Sequence, residues 1–256
     1  MTDATSAGRL SQTDQLLRDE LYCIADSKLV LAGWYMIVLP NGRAISDWSA
    51  MCAMMQGQYG HARALYQYLG HFGVTREEAE WTRGAADIRS PKLLDQPPRS
   101  WSDFVATIFL AEQAISTQLG AYRSNQADRT LARLAEKVHK ESRFHVSYST
   151  GWIKALNKDP SSTIKADIRR RFAETLEWWD ENDQPDGLFR AGYREASDAT
   201  LRKRFIEAVE ATIDVSGPDV PAPVSWQRSI RRSGKPGIPD SLFELIRFKN
   251  HELALP

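Results

Sequence analysis

The sequence predicts an all-α protein: a bundle of four or more long helices followed by an irregular C-terminal extension. Apolar side chains recur every three to four residues along most of the 256-residue chain, which is the spacing of one helix face. No segment alternates apolar and polar residues as a half-buried strand does, and no internal repeat is present. This pattern favours helices packed on one another around a shared core.

The first two helices are separated by a turn. The first carries a run of apolar residues, 28–38, that is typical of a buried helix, and Pro40 and Gly42 end it. A second long helix is predicted over residues 46–70, with Ser46 as its N-cap.

Further helices follow in order. Thr75 and Glu78 have the spacing of a capping box and open a short helix, and residues 90–99, with three prolines, form a loop. The next predicted helices are residues 102–124 with Ser102 as N-cap, residues 127–156, and residues 161–179 with Ser161 or Ser162 as N-cap.

The chain changes character after residue 180. We predict a turn at 182–187, a short helix over 199–213, irregular backbone rich in proline and glycine over 217–239, and a last helix over 241–249. We therefore divide the chain into a helical bundle, residues 1–183, and a C-terminal extension, residues 184–256, packed on or beside it.

Composition excludes several classes of function. The 33 basic and 33 acidic residues cancel, which argues against nucleic acid as the main partner. Two cysteines, Cys23 and Cys52, cannot build a disulfide framework or a cysteine-based zinc site. No uninterrupted apolar run reaches the ~18 residues of a membrane span, and the first residues lack the apolar segment of a secretory signal. We expect a cytoplasmic protein with no membrane or nucleic-acid partner.

Five histidines limit the available metal chemistry. Di-iron sites in helical bundles take a Glu from each of two helices and a Glu-x-x-His pair from each of the other two, because that spacing places both side chains on one face. The formal pair Glu136/His139 lies about 240° around its helix from His145, so we interpret it as a solvated face. His61 has Gln58 three residues before it instead of a glutamate.

Several stretches carry a family likeness. MIVLPNGRAI, QGQYGHARALY with LGHFGVTREE, and KESRFH resemble motifs of the catalytic A subunit family of bacterial phenylacetyl-CoA 1,2-epoxidase, a ferritin-like oxygenase of phenylacetate degradation. PPRSWSDFVATIFLAEQAI is similar to that family's third core helix, and LRKRFIEAVEATI with the tail after it to the family's C-terminal extension. The likeness runs from about residue 19 to residue 249. It implies a ferritin-like helical bundle.

The resemblance also implies six metal positions, of which half keep a ligand. Two imidazoles and one carboxylate remain, and three carboxylates are replaced. The retained positions are His61, Glu112 and His145, and the replaced ones fall on Trp34, Gln58 and Ser142.

One carboxylate cannot neutralise two ferrous ions in a poorly solvated core, so we expect no family-type di-iron centre. Two arrangements stay open: a hydrogen-bonded network joining Glu112 to His61 or His145, and a single metal held by these three residues. Shifting the alignment by one residue would bring in Glu141 for Ser142, but it would rotate the side chain by about 100°.

Two functions follow from the resemblance. The first is a diverged, non-catalytic ferritin-like subunit of an aromatic or acyl-CoA ring monooxygenase complex, paired with a related metal-bearing subunit and without a cofactor of its own. The alternative is an active oxygenase with a reduced iron site at His61, Glu112 and His145. It would take electrons from a separate reductase, because the chain has no flavin or iron–sulfur motif. No catalytic residue is assigned, and an acyl-CoA substrate is implied by the resemblance alone.

Two other features have functional and structural interpretations. The tyrosines and methionines of the second helix have two interpretations: they line an acyl pocket, or they fill the core. They are Tyr59, Tyr66, Tyr68, Met51, Met54 and Met55. The segment WQRSIRRSGK also has two interpretations: it contacts coenzyme A phosphates or an acidic partner, or it is solvated surface. Its cations are Arg228, Arg231, Arg232 and Lys235.

Overall fold

Four long helices form the core of the chain. The computed structural model describes residues 10–180, 186–215 and 225–247. In it, α1 packs along α2 and α3 along α4, and fewer contacts join the two pairs. The predicted all-α, ferritin-like bundle is confirmed. The core helices are α1 (Gln12–Val38), α2 (Ile45–Tyr68), α3 (Trp101–Gly120) and α4 (Arg129–Leu156).

Shorter elements pack around this core. α5 lies on α3, α7 on α3, and α6 and α8 on α1. A two-residue antiparallel ladder, absent from the sequence prediction, joins β1 to β2. The elements are α5 (Ile164–Leu176), α6 (Gly187–Arg190), α7 (Asp198–Glu210), β1 (Trp226–Gln227), β2 (Arg232–Ser233) and α8 (Asp240–Ile246). Single 3₁₀ turns occupy Leu39–Asn41, Leu69–Phe72, Ala85–Asp87 and Lys92–Leu94, and a single π turn occupies Glu78–Thr82.

The central helix α1 is buried along most of its length. By length and composition the segment Gln12–Asn41 is apolar enough to cross a membrane, with a mean hydropathy of 1.4 in its most apolar window, although charged residues such as Asp26 and Lys28 interrupt it. However, 78% of that window is buried inside the fold. Core helices of soluble proteins pass the same test, which makes it weak evidence for a membrane span.

Two predicted N-caps are wrong by two residues each, since Ala44 caps α2 and Ser100 caps α3. α2 begins at Ile45, so Ser46 lies inside its first turn. α3 is capped by Ser100, whose Oγ accepts a hydrogen bond from the Asp103 amide at 3.1 Å, and Ser102 is helical. A serine inside the first turn has helical backbone and cannot cap, because an N-cap residue needs extended backbone.

The remaining predicted boundaries agree in part. The Glu78 amide donates to Thr75 Oγ1 at 3.1 Å, one half of the predicted capping box, and the segment after it forms only the π turn. Ser162 Oγ accepts from the Ile164 amide at 3.2 Å at the start of α5. Residues 182–185 of the predicted turn, 217–224 of the irregular stretch and 248–249 of the predicted last helix lie outside the described residues, while Asp186 caps α6 and Gly187 begins it.

A buried polar network ties the C-terminal extension to the bundle. Arg231 is fully buried at a left-handed φ of 50°, between β1 and β2. Its guanidinium donates to Glu20 Oε2 at 2.9 Å, Asp198 Oδ1 at 3.0 Å and Gln118 Oε1 at 3.1 Å. Arg194 donates to Glu20 at 3.2 Å and to Asp198 at 2.8 Å. We name these five residues the Arg231 network. Glu20 lies on α1, Gln118 on α3 and Asp198 on α7, while Arg194 and Arg231 lie in loops.

Candidate functional site

Polar side chains from all four core helices meet inside the bundle. Apart from one glutamate, whose side chain is 51% exposed, each is buried. We name them the Lys28 cluster: Lys28 of α1, Gln58 and His61 of α2, Glu112 of α3, and Glu141, Ser142 and His145 of α4.

The centre of the Lys28 cluster is an ion pair. Lys28 Nζ lies 2.8 Å from Glu112 Oε2 and donates a second hydrogen bond to Ser142 Oγ at 3.0 Å. Lys28 and Glu112 are both fully buried. Burial by itself would raise the pKa of the Glu112 carboxyl, but the Lys28 ammonium and His145 outweigh it and hold this pKa well below its ordinary value. Glu112 is therefore ionised at neutral pH and balanced by Lys28.

Gln58 connects the ion pair to His145. Its Nε2 donates to Glu112 Oε1 and lies 2.9 Å from His145 Nδ1. His145 Nδ1 is in turn 3.3 Å from Glu112 Oε1. An amide thus supplies a neutral donor at the position where the family resemblance implies a carboxylate.

His61 lies at the edge of the cluster and faces a different acid. Its Nε2 is 2.7 Å from Glu141 Oε2, and its ring centroid is 6.2 Å from that of His145. Burial and the Lys28 ammonium lower the pKa of His61 from 6.5 to about 4, although the hydrogen bond to Glu141 acts in the opposite direction. His61 is consequently neutral at pH 7.

One of the replaced positions implied by the resemblance is not part of the cluster. Trp34 lies away from the cluster, and its Nε1 donates to the Leu94 carbonyl at 3.0 Å. The side chain of α1 that reaches Glu112 is Lys28, six residues or about 9 Å earlier along the helix. Gln58 and Ser142 do lie in the cluster, as does Glu141.

Lys28 is a member of the cluster that the sequence patterns do not predict. A lysine inside the long, largely buried helix α1 is an unusual signal, since a buried lysine requires a compensating partner. Its partners are 84 and 114 residues away, so no local spacing reveals them. The pair Glu136/His139, in contrast, stays outside the cluster, with Glu136 bound to Arg123 and Lys140.

A divalent metal does not fit the cluster in this arrangement. The Lys28 ammonium already neutralises Glu112, the one fully buried carboxylate of the cluster, and leaves no negative charge there for Fe²⁺. Within the described ranges, no group of three or more His, Cys, Asp or Glu side chains is placed to hold a metal ion. The nitrogen His61 Nδ1 and the oxygen Gln58 Oε1 are buried without a hydrogen-bond partner in the part of the chain described, yet two neutral donors cannot replace the missing charge. The cluster joins the four helices through hydrogen bonds around the neutral ion pair of Lys28 and Glu112.

Two of the four cations of the basic segment, Arg231 and Arg232, are buried, which overturns the predicted contact with coenzyme A or a partner for these two. Arg231 is buried in its network, and Arg232 donates to Asp95 Oδ1 at 2.8 Å and Oδ2 at 2.5 Å. Arg228 is partly exposed between Asp180 and Asp198, at 3.5 Å from each. Lys235 remains exposed. Guanidiniums already paired with buried carboxylates cannot also bind an external phosphate.

Comparisons with known proteins agree with this architecture. A family described as "Phenylacetic acid catabolic protein" matches residues 2–237. The chain is also similar to the C subunit of 1,2-phenylacetyl-CoA epoxidase from Escherichia coli (strain K12). The two are 25% identical over 187 residues, which cover 70% of this chain and 72% of that relative. The resemblance is supported for the family, while the similar relative is a C subunit instead of an A subunit.

Proposed function

Because the chain belongs to the phenylacetic acid catabolic protein family, we propose that it is a non-catalytic, ferritin-like subunit of a ring monooxygenase complex. The complex would act on an aromatic or other acyl-CoA, as the name of the similar epoxidase subunit suggests. This chain would pair in the cytoplasm with a related subunit that carries a full metal-ligand set. A separate reductase would supply that subunit with electrons.

The single observation that carries the proposal is the ion pair of Lys28 and Glu112, with 2.8 Å between Nζ and Oε2. A buried lysine provides a positive charge of its own beside the retained carboxylate. The core is then neutral without iron, and folding does not depend on metal loading, unlike in proteins whose sites form only with the ion bound. A chain of this kind is suited to support an active partner.

Two observations favour the alternative of an oxygenase with an iron site at His61, Glu112 and His145. Glu112 and His145 are 3.3 Å apart, and His61 Nδ1 has no hydrogen-bond partner among the described residues. Iron binding there would require Lys28 to leave Glu112 and His61 to turn from Glu141. We therefore rank this function second.

Affinity purification of the tagged chain from its native host tests the proposal. We expect a second ferritin-like chain with intact Glu-x-x-His motifs to co-purify, and we expect iron to stay with that chain after the two are separated.

The double variant His61→Gln/His145→Gln, if it still assembles, should keep the complex's ring-oxygenating activity within about twofold, because neither histidine touches a reacting atom. Activity of this chain without such a partner would refute the proposal, as would a loss of activity in an assembled double variant.

A further inference from the structure

A cavity of about 320 Å³ lies between α1, α2, the π turn and α8, apart from the Lys28 cluster. This volume falls in the lower part of the range of ~300–1,000 Å³ typical of small-ligand pockets. None of its lining residues belongs to the cluster. Its wall is mainly apolar: Leu29, Ala62 and Ile246 are aliphatic, and Tyr59, Tyr66 and Trp81 are aromatic.

One ring of the aromatic wall, that of Tyr66, is held in place by hydrogen bonds. The Tyr66 hydroxyl donates to Asp26 Oδ1 at 2.5 Å and lies 3.1 Å from Arg83 Nη2, and neither of these partners lines the cavity. The polar end of Tyr66 is therefore engaged elsewhere, and its ring contributes apolar surface. Of the predicted tyrosine and methionine stripe, Tyr59 and Tyr66 line this cavity, while Met51 and Met54 are buried in the core.

The cavity also has a cation available for an anion. Arg76 Nε is paired with Glu80 Oε1 at 2.8 Å. Arg63 lines the same cavity from α2, is exposed, and has no acidic partner among the residues that the structure describes. A free guanidinium beside an apolar wall matches a ligand with one carboxylate and an apolar body, because charge-assisted hydrogen bonds to arginine are strong and directional.

The fourth wall is an unusual backbone element. Glu80 and Trp81 belong to the π turn Glu78–Thr82. Such turns are rare and occur frequently at functional sites, where the extra residue changes the direction of a side chain. Here the turn contributes Trp81 to the lining of the cavity.

We propose that this cavity binds a small amphipathic monocarboxylate whose aromatic or branched aliphatic body contacts Tyr59, Tyr66 and Trp81 and whose carboxylate binds Arg63. The site is separate from the Lys28 cluster and does not depend on whether the chain is catalytic. Three aromatic side chains select a ring or a branched chain over a short acid. The single free guanidinium selects an acid over a neutral analogue.

Calorimetric titration of the full chain tests this site. The probe is 3-phenylpropanoate, with its neutral amide, 3-phenylpropanamide, and the short acid propanoate as comparisons. We expect one site for 3-phenylpropanoate with a Kd on the order of 0.1–1 mM, and at least about tenfold weaker binding of the amide and of propanoate. Equal affinities for the acid and its amide, or no saturable binding, would overturn the proposal.

Two variants and a control locate the binding. Arg63→Gln should weaken 3-phenylpropanoate by about tenfold and leave the amide unchanged, because only the acid uses the guanidinium. Trp81→Ala should weaken the acid and the amide alike. Arg133→Gln, an exposed arginine on α4, should change neither. Unchanged acid affinity in Arg63→Gln, or in a folded Trp81→Ala, would show that the acid binds elsewhere.

Discussion

Replacing Arg231 with alanine is expected to lower the free energy of unfolding by about 3–5 kcal/mol, since removing one member of a buried ion pair leaves its partners uncompensated. Glu20 and Asp198 both accept from this guanidinium, at 2.9 and 3.0 Å. Burial by itself would raise the pKa of Asp198, but Arg231 and Arg194 lower it well below its ordinary value, which shows how strongly both guanidiniums favour the charged acid. In the variant, Glu20 would keep Arg194 at 3.2 Å, and Asp198 would keep Arg194 at 2.8 Å and the partly exposed Arg228 at 3.5 Å.

Urea unfolding followed by circular dichroism measures this loss. Arg228→Ala is the matched control, because Arg228 lies on the same hairpin and pairs with Asp198 only at 3.5 Å, with a side chain that is 31% exposed. Its replacement should cost no more than about 1 kcal/mol. If Arg231→Ala were as mild as the control, the Arg231 network would not be what fixes the C-terminal extension to the bundle.

The second large effect is expected for Lys28→Met. Glu112 would keep Gln58 and His145 as neighbours but lose its compensating charge in a fully buried position. We expect a loss of about 3–5 kcal/mol at pH 7. The double variant Lys28→Met/Glu112→Gln should be more stable than Lys28→Met alone, because an amide has no charge to compensate.

The pH dependence of the same pair gives an independent check. In the native chain the pKa of Glu112 lies below its ordinary value of 4.5, so the ion pair stabilises the fold above that pH and less as the pH falls. In Lys28→Met only His145 would still oppose the effect of burial, so the pKa of Glu112 would rise and protonation in acid would favour the folded state. The stability difference between native and variant chains should therefore shrink from pH 7 to pH 5, measured by urea unfolding at each pH. A constant difference would mean that Glu112 does not respond to Lys28.

Most of the fold can be predicted from the sequence because helix periodicity and proline or glycine breaks are local signals. For α4, for example, the periodicity predicts 127–156 and the structure has Arg129–Leu156. N-caps are less predictable. Ser46 and Ser102 have side chains that suit an N-cap, yet the helices are capped two residues earlier, by Ala44 and Ser100. Side-chain chemistry alone does not decide which residue keeps an extended backbone.

The candidate site can be predicted only in part. Histidine spacing and the family resemblance lead to Glu112, Gln58, Ser142 and His145, which the structure brings together. Lys28 has no such signal because its partners lie on other helices.

The basic segment shows the same limit. No acid lies within it, so its sequence favours external contacts for Arg231 and Arg232. Their carboxylate partners Glu20 and Asp95 are 211 and 137 residues away in the chain. Which buried charges pair across such distances cannot be read from the local pattern of a single sequence.

The central claim is that Lys28 supplies the positive charge that a metal would otherwise bring to the bundle core. The most direct measurement is the iron content of the purified chain after anaerobic loading with excess Fe²⁺ and removal of unbound metal. A related ferritin-like chain with intact Glu-x-x-His motifs serves as the positive control. We predict less than about 0.1 iron per chain, because a neutral core offers no compensation for a divalent ion. One or two tightly bound irons per chain would contradict this account.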